Sequence, residues 1–353
     1  MIPVTAVDVR DAESLVVEVL RSGTLTQGPV VARFEDAFAR AAGTAHAVAV
    51  SSGTAAVTTA LEALGLGPGD EVITSPFTSA ATLAAILRTG ATVRFADITR
   101  DDFAVDPDAV ASEITPETRV VLPVHPHGQT ADMGKLAPLA EEHGLHLVED
   151  AAQALGATFA GRAAGSFGVG CFSLSANKIV TTGEGGVVTT DDAALADRLR
   201  LLHDHRMSEL HAAVGIPKLD RLDELLAARR RNARQLSVGL AGTPGLTVPA
   251  ELPGREHAWH RYSVLIGPHA MLARDELVAE LAERGVETEV HHPKLVFDHD
   301  RFREHPQIPA VSRRDFPVAL KVTEEVLSLP VHPALSEADV DTVVREVREA
   351  LGA

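Results

Sequence analysis

A lone lysine and an upstream carboxylate are the residues of this chain best suited to chemistry. Lys178 ends the run Phe172-Ser173-Leu174-Ser175-Ala176-Asn177-Lys178, and Asp150 opens Asp150-Ala151-Ala152-Gln153 after an apolar run. A lysine amine in a loop of small residues can form a Schiff base with the aldehyde of pyridoxal phosphate (PLP). A buried carboxylate can keep the pyridine nitrogen protonated, so that the ring accepts electrons from a carbanion. The pair therefore predicts a PLP site.

A possible phosphate cradle stands earlier in the chain, where a predicted strand passes into a predicted helix at Ser51-Ser52-Gly53-Thr54-Ala55-Ala56. Gly53 allows close backbone approach. The Thr54 hydroxyl and the N–H groups of Thr54 and Ala55 would face an anion at the helix N-terminus. The alternative is a simple Ser/Thr N-cap without a ligand.

Each of the other candidates also has an ordinary interpretation. Asp150 could be a helix N-cap, Lys178 an exposed lysine, and Gln153 a loop cap rather than a contact of the PLP ring oxygen. Ser173 could give a hydroxyl to the phosphate. The set favours a PLP site because its members occur in a workable order along the chain.

Short apolar runs alternate with amphipathic runs over the first half of the chain, which predicts parallel strands with helices on both faces. Predicted strands are 46–50, 71–74, 92–96, 120–124 and 146–149, and predicted helices are 54–64, 80–87, 107–114 and 136–143. Polar segments at 51–54, 76–78, 125–129 and 150–153 would then meet at the carboxyl ends of strands, where ligands bind in such sheets.

The rest of the chain predicts a smaller α+β part. Residues 194–235 have the pattern of long helices, and the turn-rich region 242–253 suggests a boundary. Beyond it we predict strands at 261–266 and 286–291 and helices at 270–284 and 337–351. The predicted division is a large domain over 1–240, whose N-terminal segment contributes to the active site, and a small domain over 241–353.

Composition excludes several classes of function. The 353 residues carry a formal net charge of −17, which argues against a nucleic-acid or anionic-membrane partner. Cys171 is the only cysteine, so a cytoplasmic, reducing compartment fits, and its apolar setting predicts a buried thiol. No signal pattern or bilayer-spanning stretch is present in the sequence. The histidine pairs, including His291-His292, lack a third ligand at suitable spacing, so no metal is expected.

At the level of whole motifs, the chain resembles the DegT/DnrJ/EryC1/StrS family, PLP-dependent sugar aminotransferases of fold type I. The resemblance covers nearly the whole chain and includes Gly23-Thr24-Leu25-Thr26-Gln27-Gly28-Pro29, Ser52-Gly53-Thr54-Ala55, Val124-His125-Pro126-His127-Gly128-Gln129, Glu149-Asp150-Ala151-Ala152-Gln153, the lysine loop with Gly183-Glu184-Gly185-Gly186, Arg206-Met207-Ser208-Glu209-Leu210 and Leu327-Ser328-Leu329-Pro330. It implies an α/β/α domain with a mostly parallel sheet, a smaller C-terminal α+β domain, and a homodimer with active sites at the interface.

The resemblance also implies roles for single residues. Lys178 would be the Schiff-base lysine and proton shuttle, and Asp150 would pair with the pyridine nitrogen. The cofactor would further contact Gly53, Thr54, Ala55, Gln153 and Ser173. Substrate contacts would come from Thr26, His127, Glu184, Arg206 and His292. Separately, the cationic side chains near the mouth, including Arg206, Arg261 and Lys294, could receive anionic groups. A lysine rather than a histidine at position 178 favours transamination over dehydration.

Two positions depart from the family pattern. Ser79 stands where an aromatic residue usually stacks on the cofactor ring, and Phe77 or His127 could compensate. Asp204 stands where an asparagine usually reaches the neighbouring subunit's cofactor phosphate, and a carboxylate there would repel the phosphate. The segment 198–205 is also shorter than usual in the family, where the missing residues form an interface loop.

The sequence thus predicts a PLP-dependent aminotransferase. L-glutamate or L-glutamine would give the amino group to a keto sugar, nucleotide-linked, in amino-sugar or antibiotic biosynthesis. The alternatives are a keto cyclitol acceptor, or PLP-dependent dehydration, aromatisation or epimerisation of a biosynthetic precursor. A non-catalytic regulator with the PLP fold is disfavoured by the Lys178–Asp150 pair.

Overall fold

The computed structural model describes residues 1–202 and 205–353. The predicted alternation of strands and helices is confirmed. The strands are β1 (His46–Val50), β2 (Glu71–Thr74), β3 (Thr92–Phe95), β4 (Thr118–Leu122), β5 (His146–Asp150), β6 (Thr158–Phe159), β7 (Arg162–Ala163), β8 (Val169–Ser173), β9 (Gly186–Thr190), β10 (Leu246–Thr247), β11 (Arg255–Glu256), β12 (Tyr262–Ile266) and β13 (Val326–Leu329). The helices are α1 (Glu13–Ser22), α2 (Pro29–Ala42), α3 (Gly53–Ala63), α4 (Ala80–Arg88), α5 (Pro107–Glu113), α6 (Met133–Glu142), α7 (Ala193–Leu201), α8 (Glu209–Asp220), α9 (Leu222–Leu240), α10 (Arg274–Glu283), α11 (Pro317–Glu325) and α12 (Glu337–Ala350).

The main sheet of the described residues has seven strands in the order β1-β9-β8-β5-β4-β2-β3. The pairs from β8 to β3 are parallel, as predicted. Strand β9 runs antiparallel to both β8 and β1. Because β8 and β9 are joined by one loop over residues 174–185, that loop returns at the same edge of the sheet where β5 and β8 end. This placement brings the lysine loop next to Asp150.

Side chains of the strands alternate between two apolar layers, as a period of two residues requires. In β1, Val48 and Val50 pack in the layer that contains α3 and α4, whereas Ala47 and Ala49 pack against α2 in the opposite layer. Helices therefore cover both faces of the sheet. The exposed edge of β1 is protected in part by Glu35, whose carboxylate accepts the N–H of Ala49 at 2.8 Å.

The C-terminal part contains a second, antiparallel sheet in which β12 lies between β10 and β13. Its apolar core is shared with α9, α10 and α12. The predicted helix 270–284 begins only at Arg274. The predicted strand 286–291 is wrong, because Val286 and Glu289 form only isolated bridges, to Ile2 and to Ser328.

The division into domains 1–240 and 241–353 remains a prediction. The turn after α9 lies at the proposed boundary, since α9 ends at Leu240. Contacts also cross that boundary: Ile2 pairs with Val286, and Phe297 and Phe316 belong to the same apolar core as α3 and α4. Over residues 1–202 and 205–353, no helix is both long and apolar enough to cross a bilayer.

Candidate active site

Asp150 is the last residue of β5 and lies in a buried position at the carboxyl edge of the sheet. Its Oδ2 accepts the hydroxyl hydrogen of Thr82 at 2.6 Å, and its Oδ1 accepts the N–H of Ala152 at 3.1 Å. Among the ion pairs of the described residues, none involves Asp150. A buried carboxylate with only neutral donors is suited to a cationic partner such as a protonated ring nitrogen.

Lys178 lies half-buried in the loop between β8 and β9, and its backbone N–H donates to Ser175 O at 3.0 Å. Burial and the nearby charge of Arg261 lower the pKa of the Lys178 amine from 10.5 to about 8, although Asp150 and Glu289 act in the opposite direction. A larger share of the amine is therefore neutral near pH 7 than in an exposed lysine. A neutral amine is the form that attacks a carbonyl carbon.

Ser173 lies against the start of α3, where the sequence predicts a phosphate cradle. A Cβ at Gly53 would lie 2.6 Å from Ser173 Cβ and 3.2 Å from its Cα, so only glycine permits this approach. Ser52 is the N-cap of α3, and its hydroxyl accepts the N–H of Ala55 at 3.1 Å. The N-cap interpretation is thus correct for Ser52, and a phosphate would share the Ala55 N–H with it. The N–H groups of Gly53 and Thr54 precede the first intrahelical donor and face the end of the helix.

Gln153 joins this site to a group of histidines. Its Oε1 accepts the backbone N–H of His127 at 2.9 Å, and its Nε2 lies 3.2 Å from His291 Nε2. Gln153, Ser173 and Lys178 also line one small pocket together with His260. Burial holds the pKa values of His127 and His260 well below the ordinary value, so both rings are neutral.

Ser79 does not replace the missing aromatic residue. It is the N-cap of α4, and its hydroxyl accepts the N–H of Ala81 at 3.1 Å. Phe77 is fully buried and packs edge-on against His292, with 4.8 Å between the ring centres. The Phe77 ring therefore supports His292, which is itself buried, and the His127 ring lies 6.1 Å from Phe77.

The glycine turn over residues 23–29 and the start of α2 are fixed by Glu209, the first residue of α8. Glu209 accepts the N–H groups of Val30 and Val31 at 3.1 and 2.7 Å, and it donates its own N–H to Leu25 O. A Cβ at Gly28 would lie 2.9 Å from Thr24 Cγ2, which explains the glycine. Of the predicted substrate contacts, the structure leaves three exposed, namely Thr26, Glu184 and Arg206. The predicted cofactor contact Asp204 lies outside the described residues.

Arg261 is not placed to receive an anion at the mouth of the site, which corrects that expectation. Its side chain is only 3% exposed and forms an ion pair with Glu289. Burial opposes ionisation of Glu289, but the hydrogen bond with His291 and the charge of Arg261 outweigh it and lower its pKa to about 2. The sequence did predict Cys171 correctly as a buried thiol, and burial raises its pKa.

Three residues of the site were missed from the sequence: Thr82, Glu289 and His260. Thr82 lies one helical turn after the Ser79 cap, a spacing at which its side chain shares a face with the helix N-terminus. That spacing was the one available signal. Within the described ranges, no group of His, Cys, Asp and Glu side chains is arranged to hold a metal ion.

These residues fit PLP. The cradle at Gly53 and Ser173 would take the phosphate, the carboxylate of Asp150 the ring nitrogen, Gln153 the ring oxygen, and the Lys178 amine the aldehyde carbon. The two observations that support the fit are the Asp150 carboxylate, which has only neutral donors, and the approach at Gly53 that any side chain would fill.

Comparison with known proteins supports the same conclusion. The family model for the DegT/DnrJ/EryC1/StrS aminotransferase family matches residues 8–348. The chain is 39% identical over 364 residues to the spore coat polysaccharide biosynthesis protein SpsC of Bacillus subtilis, covering 95% of this chain and 92% of that protein. It is 36% identical over 345 residues to the GDP-perosamine synthase of Caulobacter vibrioides, covering 92% and 91%.

The fold agrees as well. A crystal structure of DesV from S. venezuelae, in complex with a ketimine intermediate, superposes with a TM-score of 0.93 at 36% identity and covers 99% of both chains. The predicted family, fold class and cofactor are confirmed. The chain belongs to the DegT/DnrJ/EryC1/StrS aminotransferase family and is a PLP-dependent aminotransferase.

Proposed function

We propose that this aminotransferase moves an amino group from L-glutamate or L-glutamine to the carbonyl carbon of a nucleotide-linked keto sugar, in the biosynthesis of an amino sugar or a specialised metabolite. The observation that carries the proposal is the Lys178 amine of lowered pKa at the sheet edge where Asp150 lies buried with only neutral donors. The relatives named above, a polysaccharide biosynthesis protein and a GDP-perosamine synthase, support a sugar acceptor.

The residues divide the work as follows. When bound, PLP supplies an electron-accepting ring that stabilises negative charge on the carbon next to the transferred nitrogen. Asp150 would hold a proton on the ring nitrogen, and the Thr82 hydroxyl would keep the direction of its carboxylate fixed. The Nζ amine of Lys178 would take up and return the transferred proton, for which a pKa of about 8 is well matched.

A cavity of about 630 Å³ is the proposed place for the acceptor. Lys178 and Ile179 lie at one side of it, and the N-terminal segment and α9 form other walls. Its cationic side chains outnumber the acidic ones. Arg10, Lys218 and Arg221 form ion pairs with Asp8, Asp11 and Glu224, and Arg229 is buried, whereas Arg231 is exposed at the wall of the cavity. This size suits a large ligand, and the charge suits the phosphates of a nucleotide-linked sugar.

We further propose a homodimer with active sites at the interface. Support comes from large apolar side chains that are exposed along one stretch of the chain, residues 7–25: Val7, Val9, Val17, Leu20 and Leu25. Val7 also lines the cavity. Exposed apolar groups of this kind favour a protein contact. Light scattering should give twice the chain mass of 37.2 kDa, and a monomer at micromolar concentration would refute this part.

An absorbance titration tests the function. Protein saturated with PLP should show the visible band of the lysine-bound cofactor, and L-glutamate or L-glutamine should convert it to the near-UV band of pyridoxamine phosphate. A nucleotide-linked keto sugar should then restore the visible band. Lys178→Ala should show neither conversion. A visible band that survives both donors would favour the alternatives, dehydration, aromatisation or epimerisation, over amino transfer.

A further inference from the structure

Five residues form a closed ring of hydrogen bonds, and one of them, Gln153, lines the small pocket together with Lys178. His127 N–H donates to Gln153 Oε1 at 2.9 Å, and Gln153 Nε2 lies 3.2 Å from His291 Nε2. His291 Nδ1 lies 3.3 Å from Glu289 Oε1, and Arg261 binds the other oxygen of Glu289. The ring closes through the backbone: the backbone N–H of Arg261 donates to the backbone oxygen of His127 at 3.0 Å.

The direction of each bond in this ring is fixed by chemistry. A backbone N–H can only donate, so the atom of Gln153 that faces His127 must be its oxygen, and the amide nitrogen must face His291. His291 Nε2 must then accept, which places the ring hydrogen on Nδ1. That hydrogen points to Glu289, a carboxylate that can only accept when it is ionised. Every bond thus has one donor and one acceptor.

Glu289 is held in this role from two sides. Its backbone pairs with Ser328 through two hydrogen bonds, at 3.1 and 2.9 Å, so the position of its Cα is set by β13. The guanidinium of Arg261 is buried and keeps Glu289 ionised. Burial lowers the pKa of His291, so the ring is neutral and the choice between its two tautomers falls to its neighbours.

We propose that Glu289, secured by Arg261, is a positioning residue: it selects the Nδ1–H tautomer of His291. The Nε2 of His291 then accepts one N–H of the Gln153 amide, whose oxygen the His127 N–H already fixes, and so holds the second N–H toward the cofactor. Gln153 lines the same pocket as Lys178 and Ser173, which is where that second N–H would act. The inference rests on the proposed contact between Gln153 and the ring oxygen of PLP. It assigns to Arg261 and Glu289 a function that neither performs by touching the substrate or the cofactor.

Glu289→Gln tests the proposal because the new side-chain amide can donate to His291 Nδ1 and so permit the other tautomer. The Nε2–H of that tautomer would face the Gln153 amide nitrogen, so that two donors oppose each other. Gln153 could not relieve this by rotating its amide, because its nitrogen would then face the backbone N–H of His127, which is also a donor. The matched control is Glu287→Gln, two residues earlier, where the carboxylate is exposed and accepts the N–H of Val4 at 2.9 Å.

The first measurement is made on the apo-protein labelled with ¹⁵N-histidine, with His291 assigned by its loss in His291→Gln. The wild type and Glu287→Gln should show a protonated Nδ1 and a bare Nε2, and Glu289→Gln should show a mixed or reversed tautomer. A wild-type His291 protonated on Nε2, or a Glu289→Gln spectrum equal to that of the wild type, overturns the proposal.

The second measurement is the affinity for PLP and the position of its visible band. Loss of one oriented hydrogen bond should raise the Kd for PLP about tenfold in Glu289→Gln. The double variant Arg261→Leu/Glu289→Gln removes the unpaired buried charge and should recover thermal stability while the Kd stays raised. If the double variant recovered the wild-type thermal stability and also the wild-type Kd for PLP, the Arg261–Glu289 ion pair would be only structural, and the proposal would be overturned.

The two experiments separate this inference from the proposed function. A changed His291 tautomer with an unchanged Kd and visible band would overturn the link from Glu289 to the cofactor and the proposed contact of Gln153. It would leave the amino transfer intact, because that depends on the appearance of pyridoxamine phosphate in the wild type. Absence of pyridoxamine phosphate in the wild type, with the predicted tautomer present, would overturn the function alone.

Discussion

The bond between Thr82 and Asp150 offers the sharpest test of how this site holds its cofactor. Thr82 is 3% exposed and Asp150 6% exposed, so water cannot take the place of the hydroxyl if it is removed. Thr82→Val keeps the shape and the β-branch of the side chain and removes only the donor. Of the two hydrogen bonds that the described residues give to this carboxylate, the one from Ala152 N–H at 3.1 Å then remains.

The expected cost follows from the kind of bond. A hydrogen bond to a charged group contributes about 1.5–3 kcal/mol. A loss of that size in PLP binding corresponds to a rise in Kd of roughly 10- to 150-fold. Because the N–H of Ala152 still fixes the other oxygen of Asp150, we expect the lower end of that range, a rise in the Kd for PLP of about tenfold. The kcat for amino transfer should fall too, since a carboxylate free to rotate holds the ring proton less firmly.

The assay is a PLP titration of the apo-protein, followed by absorbance, with Thr82→Ser as the control. Serine keeps the hydroxyl and should restore most of the affinity, while the missing methyl group lowers thermal stability in the control alone. Equal PLP affinity in Thr82→Val and Thr82→Ser would refute the reasoning, because the methyl group and not the hydroxyl would then be the part that matters.

Further predictions concern the lysine, the cradle and the cavity. Acetylation of Lys178 in the apo-protein, followed by mass spectrometry, should rise with pH around a midpoint of about 8, because the lowered pKa leaves the amine neutral above that pH; a midpoint near 10.5 would contradict it. Gly53→Ala should destabilise the protein by about 1–3 kcal/mol and weaken PLP binding, since its Cβ would overlap Ser173. Gly67→Ala, which has open space around the added Cβ, should change neither the stability nor the PLP affinity. Equal changes of Tm in Gly53→Ala and Gly67→Ala would refute the argument. Arg231→Ala should raise the KM for a nucleotide-linked sugar several-fold, and less so as salt increases; an unchanged KM at low salt would place the phosphates elsewhere.

Local periodicity predicted five of the seven strands of the main sheet formed by the described residues; it missed β8 and β9, and it placed β4 two residues late, at 120–124. The strands His46–Val50 and Glu71–Thr74 have their predicted bounds, because each is a short apolar run between turn residues. Strand direction is a different matter. The antiparallel course of β9 depends on where its partner strands lie, and nothing in residues 186–190 records it.

The predicted strand 286–291 failed for a related reason. Alternation of apolar and polar residues is present there, but a strand also needs a partner along its length. Val286 bridges to Ile2 and Glu289 bridges to Ser328. These partners belong to different segments, so no continuous ladder of strand hydrogen bonds forms. A pattern within one segment cannot show whether a neighbouring segment continues beside it.

The residues of the site likewise fall into those that the sequence predicted and those that it did not. Lys178, Asp150 and the Gly53 cradle were predicted because residue type and motif identify them. Thr82 and Glu289 were not, since they act through partners 68 residues away in one case and 28 in the other. Side chains that orient another residue carry no motif of their own, so only the fold shows them.

The contacts of His127 and Gly128 with the segment before β12 have a consequence for protein engineering. Ala258 donates its N–H to Gly128 O at 2.8 Å, and a Cβ at Gly128 would lie 2.8 Å from His260 N. A chimaera recombined after α9 would place a foreign segment against this loop, which also carries the N–H that orients Gln153. We expect such hybrids to lose cofactor affinity before they change acceptor preference, so residues 125–129 must be exchanged together with the C-terminal part.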